Sequence, residues 1–186
     1  MSKKISLVIV AVVAAAAVAI LGVEYNSLKG VQVEVQTQQS QIENQLQRRA
    51  DLIPNLVASV KGYMEHEERV LTEVTEARAR LEKSTSFEAK AAADTALTAA
   101  LGRLIAVSEN YPELKANTQF IELMREIAGS ENRIAVARRD YNNAVREYNL
   151  QSETFPNNIF AKILGFDEIK PFEADESAHE APKVEL

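Results

Sequence analysis

The feature that most constrains this chain is an apolar run at residues 5–23, which is interrupted only by Ser6 and Gly22 and contains no charge. As a helix rising about 1.5 Å per residue, it would be roughly 28 Å long, close to the hydrocarbon thickness of a bilayer. A secretory signal peptide is the competing interpretation, but its apolar core spans about 7–15 residues and ends at a small-residue cleavage site. The length of the run, with Leu21 and Val23 at its end, favours an uncleaved anchor that contacts membrane lipid through residues 5–23.

Basic residues around the apolar run determine its predicted orientation. Lys3 and Lys4 precede the run, whereas Lys29 is the only basic residue among positions 24–47. Because basic residues are retained on the cytoplasmic side of a membrane, we expect a cytoplasmic amino terminus and an extracytoplasmic remainder. The margin is only one or two charges, so a cytoplasmic bundle is the alternative.

The composition favours helices and excludes several kinds of site. The 186 residues include six Gly, five Pro and no Trp or Cys, and they are rich in residues with high helix propensity. The absence of cysteine excludes disulfides and thiolate metal sites. Residues 167–186 carry five of the six net negative charges. The rest of the chain is therefore nearly neutral and offers no basic face to nucleic acid.

Apolar residues spaced three and four apart predict an all-α fold, in which an N-terminal transmembrane helix continues into a long antiparallel bundle of about four helices. The predicted helical segments are 5–49, 52–83, 86–110, 117–154 and a short one at 158–164. The corresponding divisions are 1–23 for the amino-terminal stub and anchor, 24–166 for the bundle, and 167–186 for an acidic tail predicted to be disordered.

Residues 47–56 form the predicted corner between the stalk and the bundle. Pro54 is disfavoured inside a helix but acceptable in a first turn, and Asp51 is a good N-cap. We therefore predict a structural junction in which one helix ends near Arg48 and Arg49 and another begins after Asp51. A continuous helix kinked at Pro54 is the alternative. The two arginines and Asp51 are also candidates for an anion site, although capping and interhelical pairing explain the same residues.

The sequence H-E-E-R-V at 66–70 resembles part of a zinc-binding H-E-x-x-H helix. That motif needs a second histidine where this chain has Val70, so no metal site is predicted. Glu67 falls on the apolar seam of the predicted second helix, where a buried carboxylate needs a partner. The candidate interhelical partners are arginines of the fourth helix: Arg133, Arg138 and Arg139.

A short apolar segment follows the predicted fourth helix. It can cover the open end of the bundle core, or it can dock on a lipid surface or a protein partner. Its candidate contact residues are Ile159, Phe160, Ile163, Leu164 and Phe166. The sequence contains no Gly-rich phosphate loop and no nucleophile constellation, so no catalytic residue, cofactor or metal ligand is predicted.

Several long motifs resemble the LemA family of bacterial membrane-anchored proteins. They are I-E-N-Q-L-Q-R-R-A-D-L-I-P-N-L-V at 42–57, V-K-G-Y-M-E-H-E at 60–67, Y-P-E-L-K-A-N at 111–117 and E-N-R-I-A-V-A-R-R-D-Y-N at 131–142. The resemblance implies a single amino-terminal membrane helix followed by a long antiparallel bundle, located in the bacterial inner membrane. It also implies an external amino terminus, which is opposite to the orientation that the lysines predict.

These observations favour a non-enzymatic single-pass protein of the cell envelope, acting as a scaffold that self-assembles or recruits a partner. Apolar seams of about four heptads, with small residues at Ala93, Ala96 and Ala100, can contact another helix as well as their own bundle. We therefore expect a homo-oligomer or an envelope protein partner. An adaptor or regulator of a membrane protease or another envelope enzyme is the alternative.

Overall fold

The computed structural model describes residues 2–64 and 66–172, which form α-helices and their connections with no β-strand. The helices of these residues are α1 (Ser2–Lys61), α2 (Glu68–Lys83), α3 (Phe87–Ser108), α4 (Pro112–Lys115), α5 (Thr118–Glu153) and α6 (Asn157–Leu164). The predicted all-α class, with an amino-terminal apolar helix and a helical bundle, is confirmed.

The chain divides into two compact units, which we call the terminal unit and the central unit. The terminal unit comprises Met1–Ser40 and Ala137–Leu186, and the central unit comprises Gln41–Val136. Helices α1 and α5 each contribute one part to each unit. In the central unit, those parts of α1 and α5 combine with α2 and α3 into a four-helix arrangement around the buried apolar residues.

Helix α1 is a single helix of 60 residues with Pro54 inside it. The predicted break and restart at Asp51 is therefore wrong, and the alternative of a continuous helix is correct. The chain leaves the helix only at Gly62, a residue type that disfavours helix by about 1 kcal/mol relative to Ala. Met64 is buried after this point, and its N–H donates to the Val60 carbonyl at 3.0 Å, which closes the turn.

The predicted second helix, 52–83, is instead formed by the two arms of a hairpin. Its buried apolar residues are divided between the arms: Ile53, Leu56 and Val60 on α1, and Val74, Ala77 and Leu81 on α2. Both arms face the same core, so the spacing of three and four continues across the turn. Periodicity alone therefore did not reveal where the helix ends.

Polar caps begin the next two long helices. The Ser86 hydroxyl accepts from the Ala89 N–H at 3.1 Å and caps α3, which begins within one residue of the predicted start at 86. Asn117, at the predicted start of the next long helix, caps α5, because its Oδ1 accepts from the Phe120 N–H at 3.0 Å. Helix α5 then continues for 36 residues, which corresponds to about 54 Å.

In the terminal unit, α6 is followed by a non-helical segment at residues 165–172, which we call the strap. Gly165 has a φ of 76° and closes α6, and the Phe166 N–H donates back to the Ala161 carbonyl at 2.9 Å. The observed end of α6 at Leu164 agrees with the predicted segment 158–164. Residues 167–172, which the sequence assigns to a disordered tail, are hydrogen-bonded to α5. The remainder of the predicted tail, 173–186, lies outside the described residues.

Two of the described helices are long and apolar enough to cross a membrane by length and composition: α1 from Leu7, and α3. None of the apolar window of α1 is buried, whereas 39% of that of α3 is buried. Helix α3 packs along α2 and buries Asp94, Leu97 and Leu104, as a core helix of a bundle does. The exposed apolar part of α1 is therefore the candidate membrane segment.

Candidate functional site

The most buried charge cluster of the central unit is centred on Arg49. This side chain of α1 is 2% exposed, and its Nη1 lies 2.8 Å from Oδ1 of Asp94 on α3. The same nitrogen lies 2.7 Å from Oε2 of Glu131 on α5. Asp94 is only 1% exposed, whereas Glu131 is partly open to solvent. One arginine therefore connects three helices of the bundle.

This arrangement removes Arg49 from the list of anion-binding candidates, because carboxylates of the chain already contact its guanidinium. The exposed Arg48 pairs with Glu126 at 3.2 Å, and the Asp51 carboxylate accepts from the Gln47 side chain at 2.8 Å. The three polar residues of the predicted junction thus have three separate sets of partners. Interhelical pairing explains both arginines, and Asp51 is not an N-cap.

Pro54 is accommodated by an arginine from the neighbouring helix. In a regular helix the Ala50 carbonyl would accept from the N–H four residues later, but that residue is Pro54, which has no N–H. The Arg78 Nε of α2 instead donates to the Ala50 carbonyl at 3.0 Å. The guanidinium also pairs with Glu82 at 2.7 Å, which holds it in place. Arg78 therefore supplies the hydrogen bond that the proline removes.

Glu67 has a different partner from the one predicted. It occupies the N-cap position of α2, and its carboxylate accepts from the Tyr111 hydroxyl at 3.3 Å. Burial, followed by the charge of Glu67, raises the pKa of Tyr111 above its ordinary value. Nearby, the Tyr63 hydroxyl accepts from the Asn117 side chain at 3.1 Å. Glu67 therefore belongs to a polar cluster at the turn between α1 and α2.

The three predicted arginine partners of Glu67 have other neighbours. Arg133 donates from Nε to the Gln45 side chain at 3.2 Å. The guanidinium of Arg138 lies 4.5 Å from the centre of the Phe172 ring, at cation–π distance, and Arg139 pairs with the adjacent Asp140 at 3.1 Å. None of these contacts is the predicted interhelical pair with Glu67.

Two asparagines of α5 hold the strap in the terminal unit. The Asn149 side chain donates to the Ile169 carbonyl at 2.7 Å and accepts from the Ile169 N–H at 3.0 Å. Asn142 makes the same pair of bonds with Phe172, at 3.0 Å and 2.7 Å. Each asparagine thus contacts a strap residue as the backbone of a neighbouring β-strand would.

The distance between the two asparagines along α5 is nearly equal to the distance between their partners along the strap. Asn142 and Asn149 are seven residues apart, which corresponds to about 10.5 Å along a helix. Their partners are three residues apart, which corresponds to about 10 Å of extended chain. Tyr148 and Tyr141 repeat the relation, because their hydroxyls donate to the carbonyls of Asp167 at 2.8 Å and Lys170 at 3.3 Å.

The apolar segment predicted to cover the core or to dock on a surface is partly buried and partly exposed. Ala161 and Phe166 are buried, and Phe160 and Leu164 are half-buried. Ile159 and Ile163 are 51% and 67% exposed. One face of α6 therefore packs on the terminal unit, and the opposite face is apolar and open.

The described residues contain no group of three or more His, Cys, Asp or Glu that could hold a metal ion. Two shallow grooves lie on the central unit. One, of about 290 Å³, is lined by α1 and α2 around Val57 and Leu71. The other, of about 460 Å³, is lined by four alanines of α3 and by Arg80, Lys83 and Ser84.

These features define a class: an all-α, membrane-associated protein with an exposed apolar amino-terminal helix and a bundle whose buried charges are paired internally. Within that class the chain belongs to the LemA family, whose profile matches residues 38–186. This match confirms the resemblance that the sequence motifs carry.

Named relatives agree with this assignment. The chain is 28% identical over 182 residues to magnetosome protein MamQ 2 of Paramagnetospirillum magneticum, covering 84% of this chain and 67% of that protein. It is 29% identical over 156 residues to protein LemA of Metamycoplasma hominis, covering 81% and 69%. It is 24% identical over 184 residues to magnetosome protein MamQ of Magnetospirillum gryphiswaldense, covering 85% and 65%.

Proposed function

We propose that this protein is a non-enzymatic, single-pass membrane scaffold that assembles with itself or recruits an envelope protein. The observation that carries the proposal is the continuity of α1. Its exposed apolar part and the parts that pack in each unit belong to one 60-residue helix. A helix that carries both a candidate membrane segment and packed helical surfaces suits a protein that holds those surfaces to a membrane.

The paired interior supports a structural role for the charged residues. The buried Arg49 contacts two carboxylates of the chain itself. The exposed surface of the central unit offers the groove between the end of α2 and the start of α3, whose alanine floor is flat enough for a helix to approach. Arg80 and Lys83 at its rim favour an acidic helical segment.

Cross-linking of the full-length protein in native membranes tests the scaffold. We expect cross-linked oligomers or a reproducible co-purifying envelope protein. Ala92→Glu places a bulky negative charge on the groove floor, where it repels an acidic segment, and should abolish that product. Ala99→Glu is the matched control, because Ala99 is also exposed on α3 but does not line the groove. A strictly monomeric species with no co-purifying protein would contradict the proposal.

We also propose that the protein resides in the bacterial inner membrane with its bundle outside the cytoplasm, as the lysines before the apolar run favour. The chain has no cysteine, so Ala99→Cys provides one reactive thiol on an exposed surface. A membrane-impermeant maleimide should label this variant in intact cells. Labelling that occurs only after the cells are opened would reverse the assigned orientation.

A further inference from the structure

Helix α6 presents an apolar face to the outside of the terminal unit. Ile159 and Ile163 are four residues apart, so they share one face of the helix, and they are 51% and 67% exposed. Phe155, just before α6, is 77% exposed. The opposite face carries the buried Ala161. The outward face is therefore apolar as well, whereas the outward face of a typical surface helix is polar.

The segment that contains this face is attached to α1 at both ends. Before α6, Gln151 donates to the Ser27 hydroxyl at 2.5 Å. After α6, the ring of Phe166 packs on that of Tyr25, with centroids 5.8 Å apart. Tyr25 and Ser27 follow the apolar run by only two and four residues. Because α6 itself is about 12 Å long, the whole segment lies beside the place where the apolar run ends.

The chemistry of this segment matches the interface of a bilayer. The polar headgroup zone extends about 5–8 Å beyond the hydrocarbon on each side. Tyrosines such as Tyr25 are enriched there, and phenylalanines such as Phe155 are common on the apolar side of helices that lie in this zone. Lys162 lies between the two isoleucines, and its long stem allows the ammonium to reach water while the apolar face is buried. Helix α6 contains no acidic residue, so nothing on it repels a lipid headgroup.

We propose that α6 and Phe155 form a membrane-surface contact, in which Ile159, Ile163 and Phe155 insert into the headgroup region around the end of the apolar run. The occupant is the lipid surface itself. This inference rests on the proposed anchoring through residues 5–23, because the position of α6 follows from that of α1. A second contact beside the anchor fixes the tilt and rotation of α1, which a single helix crossing a bilayer does not fix by itself.

Spin labels test this contact in the full-length protein reconstituted into phosphatidylcholine nanodiscs. Because the chain lacks cysteine, Ile159→Cys and Ile163→Cys each carry one nitroxide at an exposed position that the fold tolerates. Val33→Cys is the matched control: Val33 is an apolar residue of α1, 47% exposed, and about 15 Å beyond Val23 along the helix. Broadening by oxygen reports lipid, and broadening by a water-soluble nickel chelate reports solvent.

We expect labels at positions 159 and 163 to lose nickel broadening and gain oxygen broadening relative to position 33. Nickel broadening equal to that at position 33 would overturn the proposal. Protection from both reagents would also overturn it, because that result indicates a protein partner or a second copy on this face. Recovery of the protein in the nanodisc fraction is measured separately. Failure to enter nanodiscs would refute the anchor, whereas entry with solvent-exposed labels would refute only the contact of α6.

Discussion

In the central unit, charged side chains join the helices: Arg49 contacts carboxylates of α3 and α5, and Lys90 of α3 pairs with Glu43 of α1 at 2.6 Å. In the terminal unit, most of the contacts with the strap come from neutral side chains: Asn142, Asn149 and two tyrosines bind its backbone, and Arg138 adds a cation–π contact with Phe172. The same two long helices take part in both units. The difference therefore comes from what packs against them.

The element that packs against a helix determines which kind of side chain can form polar contacts with it. A neighbouring helix has already satisfied its own backbone, so only its side chains are available for polar contacts. An extended strap has free N–H and C=O groups on every residue, and an asparagine can satisfy one of each. Solvent exposure and salt weaken an ion pair. Hydrogen bonds between an asparagine side chain and a backbone involve no net charge, so their strength depends less on salt. The two units should accordingly fail under different conditions.

The largest expected effect is the loss of the Arg49 guanidinium. Arg49→Met leaves the Asp94 carboxylate buried without its arginine, and we expect a loss of about 3–5 kcal/mol in the stability of the central unit. Hydrogen exchange of α3 peptides in the full-length protein measures this loss, while strap peptides monitor the terminal unit in the same experiment.

Arg48→Met is the control, because Arg48 and Glu126 are both about half exposed and such pairs contribute about 0–1 kcal/mol. Replacing the pair by apolar residues in Arg49→Met/Asp94→Leu should recover most of the stability, since an apolar replacement leaves no unpaired charge. An equal effect of Arg48→Met and Arg49→Met would show that the buried cluster is not what distinguishes the central unit.

The second prediction concerns the proline in α1. Arg78→Met removes the donor to the Ala50 carbonyl, and the loss of a hydrogen bond from a charged group is expected to cost about 1.5–3 kcal/mol. In a Pro54→Ala background the backbone N–H at position 54 returns, so the same substitution should cost much less. Denaturant unfolding of the four proteins of this cycle gives the coupling energy. Additive effects would mean that Arg78 does not replace the missing bond.

The third prediction tests the neutral contacts of the terminal unit. Asn149→Ala removes two hydrogen bonds to Ile169, so we expect docking of the strap to weaken by about 1–3 kcal/mol. Faster exchange of strap peptides, with α3 peptides unchanged, is the expected signature. Asn143→Ala is the matched control, because Asn143 is exposed and adjacent to Asn142 on α5. Faster exchange in both units would contradict the separation of roles.

The sequence predicted the all-α class and the buried helix faces well, but it misplaced the end of the first helix and most of the polar contacts, and the particular residues show why. Apolar spacing identified the buried faces of α1, α3 and α5, because residues that pack in a core recur every three or four positions along a helix. The burial of Asp94 was missed because this residue is polar and does not belong to that apolar pattern in the alanine-rich α3. Pro54 was misplaced because local propensity favours a helix start there, and the compensating Arg78 lies on another helix.

The strap was missed for a related reason. The pair Tyr-Asn recurs at 141–142 and 148–149, which is a visible heptad, but the partner repeat of three residues in the strap is formed by backbone groups. Backbone groups leave no pattern in a sequence. Likewise, α6 was recognised as apolar on one side, but only the contact of Phe166 with Tyr25 shows that it lies beside the end of the apolar run.

The fourth prediction is a smaller loss of stability of the terminal unit at alkaline pH. Burial, and then the charge of Asp167, raises the pKa of Tyr148 above its ordinary value near 10. The neutral hydroxyl is therefore favoured in the folded state, and its contribution to stability is complete below about pH 10 and is lost as the pH rises through the folded pKa. The stability difference between the native protein and Tyr148→Phe should shrink over that range. When the titration is followed by phenolate absorbance, the Tyr148→Phe variant should lack one late-titrating tyrosine, and Tyr111→Phe should remove another.

The smallest expected effect is an acid response of the central unit. Hydrogen bonds from Arg103, and then from Arg69, lower the pKa of Glu73 below its ordinary value. The carboxylate form is thus favoured in the folded protein, so its contribution is present above the unfolded pKa of about 4.5 and is lost as the pH falls through the folded value. The groups are exposed to solvent, so the effect should be small and should disappear in high salt. Glu73→Gln should remove this acid response from α2 and α3 peptides and leave strap exchange unchanged, because no charge of the central unit contributes to the asparagine contacts.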